Sequence, residues 1–275
     1  MKFTGRMLAD KEDVSRLIPE ERVATMMTLN QKLYQLFDSK AQQVTIDTLS
    51  LGLGYTAVTT SDGGIGLSYT YFGDKRTCMF LNEHIDYEGK PASLLLEKIK
   101  SDYSVDRSMA LALINALNYD VALALPEDKD NSIMYDKFKI GKESKIAMVG
   151  FFGPLVRNFK EKRVSLEILD ESRGLGDKED FYYKLGNWAE VLLLTSTSIL
   201  NQSTEEILAN VSKKVKTVML GPSTPMAGKA FGHLPVHMLA GTVPIEKEKT
   251  LKAVRHGMGT PVLHKFSRKS FMSLI

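Results

Sequence analysis

Residues 146–171 read IAMVGFFGPLVRNFKEKRVSLEILDE. The apolar run Ile146 to Val149 has the length of a buried strand, and Gly150-Phe151-Phe152-Gly153-Pro154 follows it as a turn whose proline opens a helix. After the helical segment a second apolar run, Val164 to Leu169, ends in Asp170-Glu171. Strand, turn, helix and strand in close succession predict two parallel strands joined by a helical crossover, because parallel neighbours need a connection of about a dozen residues or more. The same grammar continues downstream, with apolar runs at Val191 to Leu194, Val218 to Leu220 and Met238 to Ala240. Short apolar runs alternating with helical segments predict a Rossmann-like parallel sheet over residues 141–275.

Upstream the periodicity is different. Val23, Met26, Met27, Leu33, Leu36 and Phe37 share one helical face, which predicts a helix from near Pro19. Val44, Ile46 and Thr48 alternate with polar partners, and Gly54 to Thr60 and Ile65 to Tyr71 flank the turn Ser61-Asp62-Gly63-Gly64, which predicts a small antiparallel sheet. Helices are expected over Pro91 to Lys100 and over Val105 to Asn118, the second capped by Ser104. Residues 1–130 therefore read as an α+β domain. Pro126 to Glu143 is polar and lacks sustained periodicity, so residues 131–140 are expected to be an exposed connection. The fold class is α/β overall.

Composition narrows the function classes. Hydrophobic residues make up 43% of the 275 and charged residues 25%, which suits packed cores. Lysine and arginine number 36 against 33 acids, and the net charge of +3 gives no footprint for nucleic acid or an anionic membrane. Cys78 is the single cysteine, so no intrachain disulfide can form, and a reducing cytoplasm is the expected compartment. Charged residues interrupt Met1 to Arg16, which argues against a signal peptide, and Met109 to Leu117 is too short to span a bilayer.

In an open parallel sheet, ligands bind beyond the carboxyl ends of the strands, where loops and helix amino termini converge. The residues following each run are accordingly the site candidates. Gly150 and Gly153 let the backbone approach a ligand, with a plain tight turn as the alternative. Asp170 lies about 20 residues after that turn, the offset of a ribose-binding carboxylate, although the third glycine of the dinucleotide fingerprint is missing and an exposed loop acid fits equally. Thr195, Thr197 and Asn201 follow the third run as compact donors and acceptors that capping does not jointly explain, whereas Ser203 and Glu206 read as a capping box. Gly221-Pro222-Ser223-Thr224-Pro225 follows the fourth run and Gly241-Thr242 the fifth. Their shared glycine and hydroxyl chemistry predicts one pocket.

Other motifs fail on spacing. Gly221 to Ala230 lacks the P-loop hydroxyl and its Gly228-Lys229 pair stands too far along. His233 and His237 are four apart, but Pro235 lies between them and no glutamate follows His233, so they read as loop and strand-edge histidines, and no metal ligands are assigned. No nucleophile elbow marks a serine.

Gly52-Leu53-Gly54-Tyr55-Thr56-Ala57-Val58 with Gly63-Gly64-Ile65-Gly66, Asn115-Ala116, Thr195 to Asn201, Gly221-Pro222-Ser223-Thr224-Pro225 and Gly241-Thr242 together resemble the putative heavy-metal chelation family, a prokaryotic family of unknown function. The resemblance runs from the first hairpin to Gly259. Ser196, Ser198 and Ala227-Gly228 depart from its usual residues. It implies an enolase N-terminal-like domain followed by a Rossmann-like one, with a site between them where Gly54, Tyr55, Thr56 and Asn115 face Thr195, Thr197, Asn201, Ser223 and Thr224. Three functions stay open. One is an enzyme of condensation or hydrolysis on a small polar metabolite, heteroaromatic or not, of pterin, flavin or metallophore type, with Tyr55 as proton donor or stacking surface and Asn115 orienting a carbonyl. The second is a non-catalytic binder of a metal complex or metallophore. The third, resting on the glycine turn and Asp170, is a site for an adenosyl cofactor, S-adenosylmethionine or NAD. A small molecule is the expected partner, a homodimer is compatible with the sequence, and no cofactor or catalytic residue is assigned.

Overall fold

The computed structural model describes residues 27–73 and 85–274. The chain is mixed α/β, with a three-stranded antiparallel sheet and a six-stranded, mostly parallel one. Helix α1 (Leu29–Ala41) starts at Thr28, whose hydroxyl accepts from Gln31 N while the Gln31 side chain accepts from Thr28 N, a complete capping box. The helix expected from Pro19 thus begins later among the described residues: Met27 precedes the cap, and Pro19, Val23 and Met26 lie outside them.

β1 (Ile46–Leu51), β2 (Tyr55–Thr60) and β3 (Ile65–Tyr69) form the antiparallel sheet, and all six residues of β2 are buried. Helix α2 (Ser93–Leu96), continued by a 3-10 turn, leads to α3 (Ser104–Leu117), which lies across β2 and β3. A Cβ on Gly66 would stand 2.1 Å from the Ala112 carbonyl oxygen, so only glycine lets that helix and strand come so close. Ser104 does not cap α3. Tyr103 occupies the cap position, and the Ser104 hydroxyl instead donates to the Tyr71 carbonyl and accepts from Gly73 N.

The segment expected to be an exposed connection is structured. It holds α4 (Tyr119–Ala124) before it and α5 (Ser132–Lys137) within it, with Met134 and Tyr135 buried. Glu127 bridges Ser270, and Asp128 N donates to the Lys269 carbonyl at 3.0 Å, which turns this stretch inward.

Beyond it, β4 (Lys145–Val149), α6 (Gly153–Glu161), β5 (Ser165–Leu169), α7 (Lys178–Asn187), β6 (Val191–Thr195), α8 (Thr204–Ala209), β7 (Lys216–Leu220) and β8 (Met238–Pro244) follow the anticipated alternation. Strand order is β5-β4-β6-β7-β8-β9, all parallel except β9 (Ser267–Ser273), an antiparallel edge strand absent from the sequence reading. Between β8 and β9 come α9 (Lys247–Arg255) and α10 (Thr260–Leu263). Their Leu251, Ala253, Val254 and Leu263 pack on Tyr55, Ala57 and Leu67, so the late chain covers the face of the first sheet that α3 leaves open. The largest apolar cluster likewise joins Leu33 and Leu113 to Leu192 and Phe231. No described helix is long and apolar enough to cross a membrane.

Candidate functional site

Parallel register places Val149 beside Leu194, Thr195 beside Leu220, and Leu220 beside Ala240. The loops that follow share one edge of the sheet. Contacts between them are tight: a Cβ on Gly150 would stand 3.0 Å from the Thr195 Cβ, and one on Gly241 would stand 3.0 Å from the Thr224 carbonyl. Gly221 takes φ +129°, a backbone region open to glycine, and its missing Cβ leaves room for Ser196 Oγ.

A cavity of about 300 Å³ opens at the β7–β8 end of this edge, within the usual range for small-molecule sites. Met134, Phe152, Leu155, Leu220, Met238 and Phe271 give it an apolar wall, and Phe151 stands at its lining with the Arg173 guanidinium 5.0 Å from the ring centre. Its polar groups come from separate parts of the chain. Tyr55 arrives from β2, Asp128 from the stretch before α5, Thr242 and Lys269 from β8 and β9, and Thr260 and His264 from α10 and the turn after it.

Tyr55 is 6% exposed and shares a 2.5 Å hydrogen bond with Thr260. Burial raises its pKa above the usual tyrosine value, which the Thr260 bond partly offsets, so the phenol keeps its proton at neutral pH. His264 Nε2 lies 3.4 Å from Thr242 Oγ1. Burial, then the nearby Lys269 ammonium, pushes its pKa below the ordinary histidine value, leaving a neutral imidazole. Lys269 Nζ donates to the Lys129 carbonyl at 3.0 Å. Among the described residues no three histidine, cysteine, aspartate or glutamate side chains are grouped to hold a metal ion.

Of the residues expected at the site, Tyr55, Gly221, Pro222, Gly241 and Thr242 line this cavity. The remainder are placed elsewhere, each for a local reason. Asn115 spends both amide hydrogens on protein, donating to the carbonyls of Leu67 at 2.7 Å and Ser223 at 3.3 Å, so it clamps β3 to the 221–225 loop where a substrate carbonyl was expected. Ser223 and Thr224 are buried in that clamp. Thr56 is buried and bonded to Thr70. Gly54 sits in the β1–β2 turn, where its carbonyl accepts from Thr70 N. Gly150 and Gly153 shape the loop into α6, outside the lining.

Capping does explain Thr195 and Thr197: Thr195 Oγ1 accepts from Thr197 N at 3.3 Å and bonds Thr197 Oγ1 at 2.9 Å at the head of a 3-10 turn. Asn201 Oδ1 is taken by the N–H and hydroxyl of Ser203. The capping box at Ser203 is not formed, because Glu206 turns to Lys178 at 2.7 Å. Asp170 caps Arg173 N, accepts from Ser172 at 2.6 Å and pairs with Arg173, and it does not line the cavity. His233 lies in a loop, and His237 Nδ1 accepts from Thr217 N at 3.1 Å beside β7. Cys78 lies outside the described residues.

Asp128, Thr260, His264 and Lys269 were missed by sequence reasoning. Asp128 stands in a charged cluster that reads as solvated loop, and His264 and Lys269 follow the last recognised strand. Identifying β9 would have exposed them, since its pairing with Glu127 and Asp128 folds both segments over the cavity.

The chain belongs to the DUF364 family, described as putative heavy-metal chelation, whose model matches residues 134–273. The DUF4213 model, with the same description, matches residues 34–118. Two solved DUF364 proteins of unknown function share the fold. One, from Pyrococcus horikoshii, is 19% identical with a TM-score of 0.71, covering 90% of this chain and 100% of its own. The other, from Desulfitobacterium hafniense DCB-2, is 20% identical with a TM-score of 0.69, covering 88% and 98%. No curated protein matches the chain.

Proposed function

We propose that this chain binds a small planar organic molecule in the cavity at the carboxyl ends of β7 and β8. The observation that carries this reading is that one cavity is lined both by aromatic and aliphatic side chains, among them Phe152, Leu155, Leu220 and Phe271, and by polar ones, Tyr55, Asp128, Thr242, Thr260, His264 and Lys269. Apolar walls supply the affinity and a few placed polar groups supply orientation. A neutral imidazole can take a proton from a ligand, and a protonated phenol can give one, so the polar lining has the acid and base that condensation or hydrolysis requires.

A thermal-shift screen of the native chain against pterins, flavins, other heteroaromatic acids and amines, and metal–chelator complexes tests the reading, since a ligand of the folded state raises Tm. Binding that Phe271→Ala weakens about tenfold supports the cavity, while binding untouched by that change places the ligand elsewhere. Turnover of the bound compound selects the catalytic form of the proposal. A response confined to metal complexes, with no turnover, selects carriage of a metal complex.

A further inference from the structure

Asp128 is 7% exposed and, among the described residues, is the one carboxylate lining the cavity. Its side chain is poorly matched by protein. Oδ1 accepts from Ser132 Oγ and Ile133 N, each at 3.5 Å, the outer limit of hydrogen bonding. Lys269 is its backbone neighbour across the bridge, yet that ammonium is directed to the Lys129 carbonyl. Among the described residues no lysine, arginine or histidine pairs with Asp128. A carboxylate offers about four acceptor positions, and only those of Oδ1 are engaged here, both weakly. Asn131, Met134, Phe152 and Phe271 line the same cavity as Asp128.

We infer that Asp128 is the recognition group for paired N–H donors on the edge of a planar ligand, as in an amidine, a guanidine or a 2-amino nitrogen heterocycle. This rests on the proposed occupancy of the cavity by a planar molecule. Two parallel N–H groups match the two carboxylate oxygens in a fork, and charge-assisted pairs of that kind are about twice as strong as neutral ones. The ring then lies against the phenylalanine wall, and the donors replace the solvent that Asp128 lost on folding.

Three probes built on one ring test this with the native full chain: benzamidine, neutral benzamide and benzoate. The expected order of affinity, read from thermal shift and from amide NMR shifts of cavity residues, is benzamidine over benzamide over benzoate. Asp128→Asn keeps the size of the side chain and an oxygen for Ser132 and Ile133. It should weaken benzamidine about tenfold while leaving benzamide unchanged, which also reports that the variant is folded. Benzoate binding the native chain as tightly as benzamidine, or Asp128→Asn leaving benzamidine untouched, overturns the inference while the cavity reading survives. If none of the three perturbs cavity residues, the cavity reading fails and this inference fails with it.

Discussion

Tyr69 N donates to Ser223 Oγ at 2.7 Å, so the last residue of the antiparallel sheet is tied to the loop that leaves β7 in the parallel one. Together with the two bonds from Asn115, this fixes Tyr55 and the residues beyond β7 around the same cavity.

Ser223→Ala removes the acceptor of a part-buried N–H. The cost of losing such a bond is about 1 kcal/mol. Urea denaturation should show a lower midpoint with little change in slope, and a midpoint within error of the native chain would show that the tie carries no weight.

Gly66→Ala should be more damaging. Its Cβ would stand 2.1 Å from the Ala112 carbonyl oxygen and 2.2 Å from Ala116 N, both backbone atoms, so α3 must shift off the sheet. Overpacking of this kind costs about 3 kcal/mol. A clear fall in Tm is expected, and an unchanged Tm would contradict the helix–strand approach described.

Acid should destabilise the chain in a window set by partly buried histidine. Burial lowers the pKa of His264, and also of His233 and His237, below the ordinary value of 6.5. A group whose folded pKa is depressed takes up its proton more readily in the unfolded chain. Its contribution is therefore fully present above about 6.5 and is lost as pH falls through the folded value. His264→Gln should flatten the stability profile below about pH 6.5 and leave the plateau at neutral pH near its level. An unaltered acid slope would mean that the imidazole titrates as in the unfolded chain.

Tyr55→Phe separates positioning from fold. The hydroxyl bonds only Thr260, while the ring packs edge-on to Tyr69 at 5.8 Å and against the α9 cluster, contacts that phenylalanine keeps. Stability should change by no more than about 1 kcal/mol. Affinity for a ligand found in the screen should fall if the phenol donates to it, and unchanged affinity and turnover would remove Tyr55 from the site.

The parallel sheet was legible because its strands are buried on both faces and read as apolar runs punctuated by glycine and proline. Val191 to Leu194 and Val218 to Leu220 announce themselves in this way. β9 was not, since Ser267, Arg268, Lys269 and Ser270 are polar and an edge strand needs no apolar run. That omission hid the inward course of Asp128 and half of the cavity. The hydroxyl-rich loops attracted functional readings because Thr195, Asn201 and Ser223 have the chemistry of ligand contacts. The same chemistry closes turns and joins sheets, and only coordinates show which use is made of it.

The most direct test of the cavity uses methionine methyl NMR on the native chain. Met134 and Met238 line it from the apolar cluster on one face of the parallel sheet, whereas Met219 is buried in the cluster on the other face. Titration with benzamidine, or with a ligand from the screen, should move the Met134 and Met238 resonances and leave Met219 in place. Shifts that spare Met134 and Met238 while a ligand is demonstrably bound would contradict the account.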